Sequence, residues 1–178
     1  MSITAFENLL STAERRSLLA GDDKTAVRLG DFMGMIPAIT GKVELVYEGE
    51  QEGAASVAHT LIGDAIQKLF VTYFPEIKKL EKQNEKSPYD DIVTWFFDQS
   101  DFQLLDDLTE EEYKKMLDSV TPLEKLVTEY LPDLESKDKY FMKEFILWAL
   151  VEFQKLSKYR MTDGIRFKDV YGSYISGL

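Results

Sequence analysis

Residues 37–53 read PAITGKVELVYEGEQEG: a proline break, a short run in which polar and apolar residues alternate, and an acidic turn closed by glycine. The run KVELVY over residues 42–47 has the Val-rich alternation of a strand. The sequence offers it only one plausible partner, so it is a short strand or an extended connector, and a large sheet is excluded. Helical periodicity lies on both sides. Upstream, residues 3–20 place Ile3, Phe6, Leu9, Leu10, Ala13 and Leu18 at helical spacing, with Gly21 to end the helix. Glu7, Glu14, Arg15 and Arg16 occupy the opposite face. Ala26, Val27, Arg28 and Leu29 are short and extended, and Asp31 reads as the N-cap of a helix DFMGMIPAIT that Pro37 kinks or shortens. Downstream, Ala54, Val57, Ala58, Leu61, Ala65, Ile66, Leu69, Phe70 and Tyr73 form the apolar stripe of a long helix over 53–74.

Pro75 restarts the chain as a charged stretch, and residues 79–87 form the candidate internal boundary. Ser87 and Pro88 then open a helix through Asp98 that buries Ile92, Trp95 and Phe96. Phe97 is either buried beside them or part of an exposed patch, because three successive aromatics cannot all face one side of a helix. Thr109 with Glu112, and Thr121 with Glu124, both match the capping box and start two short helices. Pro132 ends the second of these. Over 136–158, Phe141, Phe145, Ile146, Trp148, Ala149, Val151, Phe153 and Leu156 make a helix apolar on more than one side, which places it centrally. The last residues, from Gly164, read as a short helix or loop packing Phe167, Val170 and Tyr171. The expected fold is therefore all-α: two packed helical units, residues 1–78 and 88–178, joined by the charged linker 79–87, with at most one short strand or hairpin.

Composition excludes several classes. With 44% hydrophobic and 30% charged residues in 178, the chain can bury a core and is not disordered. No apolar run approaches the ~20 residues that cross a bilayer, and no basic start precedes an apolar core, so a cytoplasmic protein without membrane contact is expected. The absence of cysteine removes disulfides and thiolate metal sites. A net charge of −11 repels a phosphate backbone, and the lysines alternate with acids, so no nucleic-acid partner is expected. The acidity suits solubility or basic protein partners.

The sequence carries no intact catalytic motif. Gly34 and Gly41-Lys42-Val43 fail as a P-loop: six residues separate the glycines, and Val43 stands where a hydroxyl must hold magnesium. Gly41 reads instead as a helix C-terminus. His59 is the sole histidine, which leaves no metal pair and no neighbour to orient a general base. The acid pairs Asp22-Asp23, Asp90-Asp91 and Asp106-Asp107 can bind a hard metal or do acid-base work. They fall at helix starts or loops, where acids favour the helix dipole. No catalytic residue and no intrinsic metal site is expected. The aromatics Trp95, Phe96, Phe97, Phe102, Phe141, Phe145, Trp148 and Phe153 are core, or in part a groove for a client helix.

Several stretches together resemble a known family. ITAFENLLSTAERRSLLAGDDKTAVRLGDFMGM, PAITGKVELVYEGEQEG, GAASVAHTLIGDAIQKLF, EYKKMLDSVTPLEKL, FMKEFILWALVEFQKLSK and GIRFKDV are similar to the C-terminal part, helical lid plus extension, of a magnesium-chelatase I-subunit-like AAA+ ATPase related to the MoxR group. The resemblance implies a parent ATPase that uses ATP and magnesium in ATP-driven remodelling or metal insertion. This chain would close over nucleotide and contact its own upstream ATPase core, neighbouring subunits of a ring, and a protein client or partner subunit. It would hold no cofactor and catalyse nothing alone. Arg15, Arg16 and Arg28 are then lid or interface candidates, because arginine in such lids touches nucleotide or the next subunit. The family's nucleotide-sensing arginine lies upstream of the residues present here, and a start almost inside a helix looks like a cut in a longer protein. Read from the residues alone, Arg15 and Arg16 form surface pairs with Glu7, Glu14, Asp22 or Asp23. Two other functions compete: a stand-alone acidic all-α interaction module, and a small helical enzyme using a carboxylate pair such as Asp106 and Asp107.

Overall fold

The computed structural model describes residues 2–40, 53–83, 86–99 and 102–170. Helix α1 (Ser2–Ala20) ends where Gly21 adopts φ +76° and its N–H reaches Leu18 O at 3.3 Å. A 3-10 segment (Leu29–Met35) runs directly into the short helix α2 (Ile36–Thr40). Pro37 therefore sits in the first turn of a new helix, where its missing N–H costs nothing, and not inside a kinked one. Helices α3 (Ala54–Tyr73), α4 (Ile77–Gln83) and α5 (Asp90–Asp98) follow. Strand β1 (Phe102–Leu105), helices α6 (Glu110–Ser119), α7 (Thr121–Tyr130) and α8 (Lys139–Glu152), and the hairpin β2 (Leu156–Arg160) and β3 (Gly164–Asp169) complete the chain. The strand-like run 42–47, Gly41 and Tyr171 lie outside the described residues.

The chain is mostly helical, and the expectation of at most one strand or hairpin is corrected. A three-stranded antiparallel sheet of order β1-β3-β2 closes one side. Phe102, Leu104, Ile165 and Phe167 are buried while Gln103 and Arg166 are not, the two-residue alternation of a half-buried sheet. The helix expected over 136–158 stops at Glu152. Gln154 takes φ 60°, Gln154 N–H reaches Val151 O at 2.9 Å, and Lys155 N–H reaches Leu150 O at 2.8 Å. These bonds make a Schellman end with glutamine at the left-handed position that usually holds glycine, so Leu156 and Lys158 belong to a strand.

Helix α8 is central, as its all-round apolarity implies. Met142 through Leu150 are buried without interruption, and one core cluster joins Met142 and Phe145 through Leu150 to Ile62, Ile66 and Phe70 of α3, Ile92 and Phe96 of α5, Leu123 of α7 and Phe167 of β3. Residues on both sides of the stretch 79–87 thus share that core. The first half of the stretch lies in α4, which Ile77 anchors at 2% exposure. Of the three successive aromatics in α5, Phe96 is buried, Trp95 lies against the core, and Phe97 faces out. The box at Thr109 forms: its hydroxyl accepts from Glu112 N at 3.3 Å while Glu112 Oε2 accepts from Thr109 N at 3.0 Å. The box at Thr121 does not, because Val120 is the N-cap and Glu124 turns to Lys139 and Lys143.

Helix α1 also departs from its expected orientation. It buries Ala5, Ala13, Arg16 and Ser17 and leaves Ile3, Phe6, Leu10 and Leu18 exposed. Small residues are needed on the inner face because the 3-10 segment comes so close that a Cβ on Gly34 would collide with the Thr12 side chain. No helix among the described residues is long and apolar enough to cross a membrane.

Candidate functional site

Arg15, Arg16 and Arg28 come together at one cleft of about 500 Å3 between α1, the 3-10 segment, α6 and the ends of the strands. Their environments differ by depth. Arg16 is 8% exposed. Its Nε and Nη2 donate to the two oxygens of Asp31 at 3.0 and 2.9 Å, Nη2 also to Ala26 O at 2.8 Å, and Nη1 to Thr25 Oγ1 at 3.0 Å. The surface pair expected for Arg16 is thus replaced by a buried two-pronged one. Asp31 does not cap a helix as the N-cap residue. It stands three residues inside, where its Oδ2 accepts from Arg28 N at 2.8 Å.

Arg28 is 5% exposed and lies over the Tyr113 ring, 4.1 Å from the centroid. Its Nη1 donates to Leu108 O at 2.9 Å and its Nη2 to Glu110 Oε2 at 3.3 Å, while the buried Nε has no hydrogen-bond partner among the described residues. Burial, and then the charge of Arg16, pull the Arg28 pKa below the usual guanidinium value, against the opposing pull of Tyr113 and Glu110. Arg15 is exposed on the rim, and among the described residues it makes no ion pair. Arg160 reaches the cleft from β2 and is held by Asp106 at 2.8 Å.

Glu144 forms the floor. The sequence signal for it was a Lys143-Glu144 pair inside the apolar run FMKEFILWAL, read above only as part of a central helix. Its Oε2 accepts from Leu29 N at 2.8 Å and Tyr113 OH at 2.7 Å; its Oε1 accepts from Gly30 N and Trp148 Nε1, both at 3.2 Å. Burial pushes the Glu144 carboxyl up, more than these donors pull it down. Burial and then Glu144 push the Tyr113 phenol well above its usual value. The cluster consumes its own charges: it fastens α1 and the 3-10 segment to α6 and α8, and among the described residues the Arg15 guanidinium takes no part in it.

A second concavity of about 400 Å3 is apolar. Phe32 and Ile39 line one wall, Leu61 and Leu69 of α3 a second, and Phe141 and Phe145 of α8 the third. Of the aromatic set, Phe141 lines this groove, Phe145 lines it from within the core, and Phe96, Phe102 and Trp148 are buried in the core away from it.

The remaining polar candidates are scattered. His59 is exposed on α3. Asp22 accepts from Glu110 N at the start of α6 at 2.9 Å, Asp90 accepts from Ser87 N at 3.2 Å, and Asp106 is engaged by Arg160. Among the described residues, no group of three or more His, Cys, Asp or Glu side chains is placed to hold a metal ion. No family model matches this chain, and neither does any curated protein or any solved structure.

Proposed function

We propose that the chain is a non-catalytic contact region, the C-terminal part of a magnesium-chelatase-like AAA+ ATPase that closes over nucleotide and meets neighbouring subunits or a partner protein. The observation that carries the contact role is α1. Ile3, Phe6, Leu10, Leu18 and Leu19 are 73, 59, 45, 74 and 73% exposed, an apolar helix surface of the kind that marks protein interaction sites. The sequence resemblance supplies the finer assignment to an ATPase, with ATP and magnesium held by the parent and not by this chain. Arg15 fits a role toward nucleotide or the next subunit, since it is exposed beside that helix surface and makes no ion pair among the described residues. Arg16 and Arg28 are occupied in holding the fold.

Immunoblotting of source cells for the native protein tests the reading. A band heavier than 20.5 kDa by at least one domain of about 100–250 residues supports an ATPase parent. A band at the chain's own mass overturns it in favour of a stand-alone interaction module. The apolar groove between α3 and α8 favours that second reading, because it has the lining expected of a seat for an amphipathic segment. Within a parent ATPase, Arg15→Ala changes turnover or assembly while leaving the fold intact; unchanged turnover and assembly would reduce Arg15 to a surface charge.

A further inference from the structure

Among the described residues, the sheet ends at β2, whose outer edge pairs with no strand and whose backbone parity is set by its hairpin. Met161 N–H reaches Gly164 O at 2.9 Å, so residues 161, 159 and 157 are the ones that bond to β3, in register with Gly164, Arg166 and Lys168. On the far side of the sheet, Asp106 N–H to Asp163 O at 2.8 Å assigns residues 163, 165 and 167 to β1. The two assignments interlock. They leave the N–H and C=O groups of Lys158 and Arg160 pointing away from the sheet, two donors and two acceptors at the spacing an added strand requires.

This edge is also the basic end of an acidic chain. Residues 155–160, KLSKYR, hold three cations and no acid, against a net charge of −11 for the whole. Each cation is paired, Lys155 with Glu81, Lys158 with Glu152, and Arg160 with Asp106. Lys158 is also held 3.9 Å over the Trp148 ring, whereas the Lys155 and Arg160 pairs are 35 to 53% exposed on both sides, so an incoming acid can take over those two cheaply. Positive charge on an edge strand also deters pairing with copies of itself. Two β2 edges laid against each other would set KLSKYR against KLSKYR, so a second copy is the wrong occupant.

We infer that the outer edge of β2 receives an extended acidic segment of a partner protein by strand addition, with the backbone of Lys158 and Arg160 supplying the hydrogen bonds and the cations of 155–160 selecting for acid. The test is amide NMR on the whole labelled chain, titrated with an acetylated six-residue peptide of alternating glutamate and valine and, in parallel, its lysine–valine counterpart, at about 150 mM salt, where long-range attraction is screened. The acidic peptide should shift the amides of Lys158 and Arg160 most. At saturation it should slow their hydrogen exchange by about tenfold or more, as expected of newly bonded edge amides. Lys158→Pro removes one outward donor without touching the ladder to β3, and should weaken binding by at least about tenfold. If that variant does not fold, Lys158→Gln with Arg160→Gln keeps the backbone and should remove the preference for acid. Equal binding of both peptides, protection confined to residues 157 and 159, or protection that rises with protein concentration alone would overturn the inference, the last by naming a second copy as the occupant.

Discussion

Replacing Glu144 by glutamine removes one acceptor from a site with four donors. The two carboxylate oxygens accept from Leu29 N, Tyr113 OH, Gly30 N and Trp148 Nε1 at 2.7 to 3.2 Å, and the residue is 2% exposed. A glutamine can satisfy two of these through its carbonyl, and the shorter pair, Leu29 N and Tyr113 OH, is the one it should keep. Its amide then faces two donors and leaves both unsatisfied. Each unsatisfied buried donor costs about 1–3 kcal/mol, and the relief of no longer burying a charge offsets part of that. The expected loss is about 2–4 kcal/mol, out of a total stability of about 5–15 kcal/mol for a domain. Urea unfolding followed by tryptophan fluorescence reads it as a lower midpoint at unchanged slope, and Glu144→Leu, which strands all four donors, should lose more. A Glu144→Gln variant within about 0.5 kcal/mol of the wild type would refute the assignment of this carboxylate as the anchor of the 3-10 segment.

Three further outcomes follow from the same structure. Gln154→Gly relieves a side chain at φ 60° and should stabilise by about 0.5–1 kcal/mol, raising Tm by a few degrees in calorimetry; no change would mean that the glutamine makes a compensating contact. Phe96→Ala empties a fully buried site and should cost about 3–5 kcal/mol, whereas its neighbour Phe97→Ala, 66% exposed, should stay within about 0.5 kcal/mol, both measured by denaturant melts. Hydrogen bonds from Lys139 and Lys143 hold the Glu124 carboxyl below its ordinary value. Its contribution is therefore present above the usual glutamate pKa and is lost as pH falls through the depressed one. Glu124→Gln should flatten the acid limb of the stability curve below about pH 4.5; an unchanged acid limb would remove Glu124 from the account.

The helices were legible because their signals are local. The apolar period of 53–74, the Thr109 box and the all-round apolarity of α8 each lie within one or two turns of chain. The strands were hidden for two reasons. Gln154 ends α8 in a left-handed conformation without the glycine that announces such an end, so the helix pattern ran on into Leu156. Phe102 and Leu104 alternate over only four residues, too short a window to distinguish from a loop. The orientation of α1 was misread because periodicity assumes that the apolar stripe faces inward. Here the close approach of Gly34 and the reach of Arg16 to Asp31 decide the rotation. At the cleft, the sequence named all three arginines, but the partners that decide two of their roles, Asp31 for Arg16 and Glu110 for Arg28, lie 15 and 82 residues away along the chain. No local pattern carries such separations.

Helix α8 is apolar around most of its circumference, and burial alone would let it turn about its own axis at little cost. Lys143 and Glu144 prevent this. Adjacent residues project about 100° apart on a helix, and these two reach opposite demands: Lys143 toward Asp118 and Glu124 at 2.5 and 2.8 Å, and Glu144 toward the backbone of Leu29 and Gly30. Turning α8 by one position would carry each charge away from its partners and into hydrocarbon. The pair therefore works as a two-toothed key that admits a single azimuth, and every residue that α8 presents to the apolar groove inherits its direction from those two teeth.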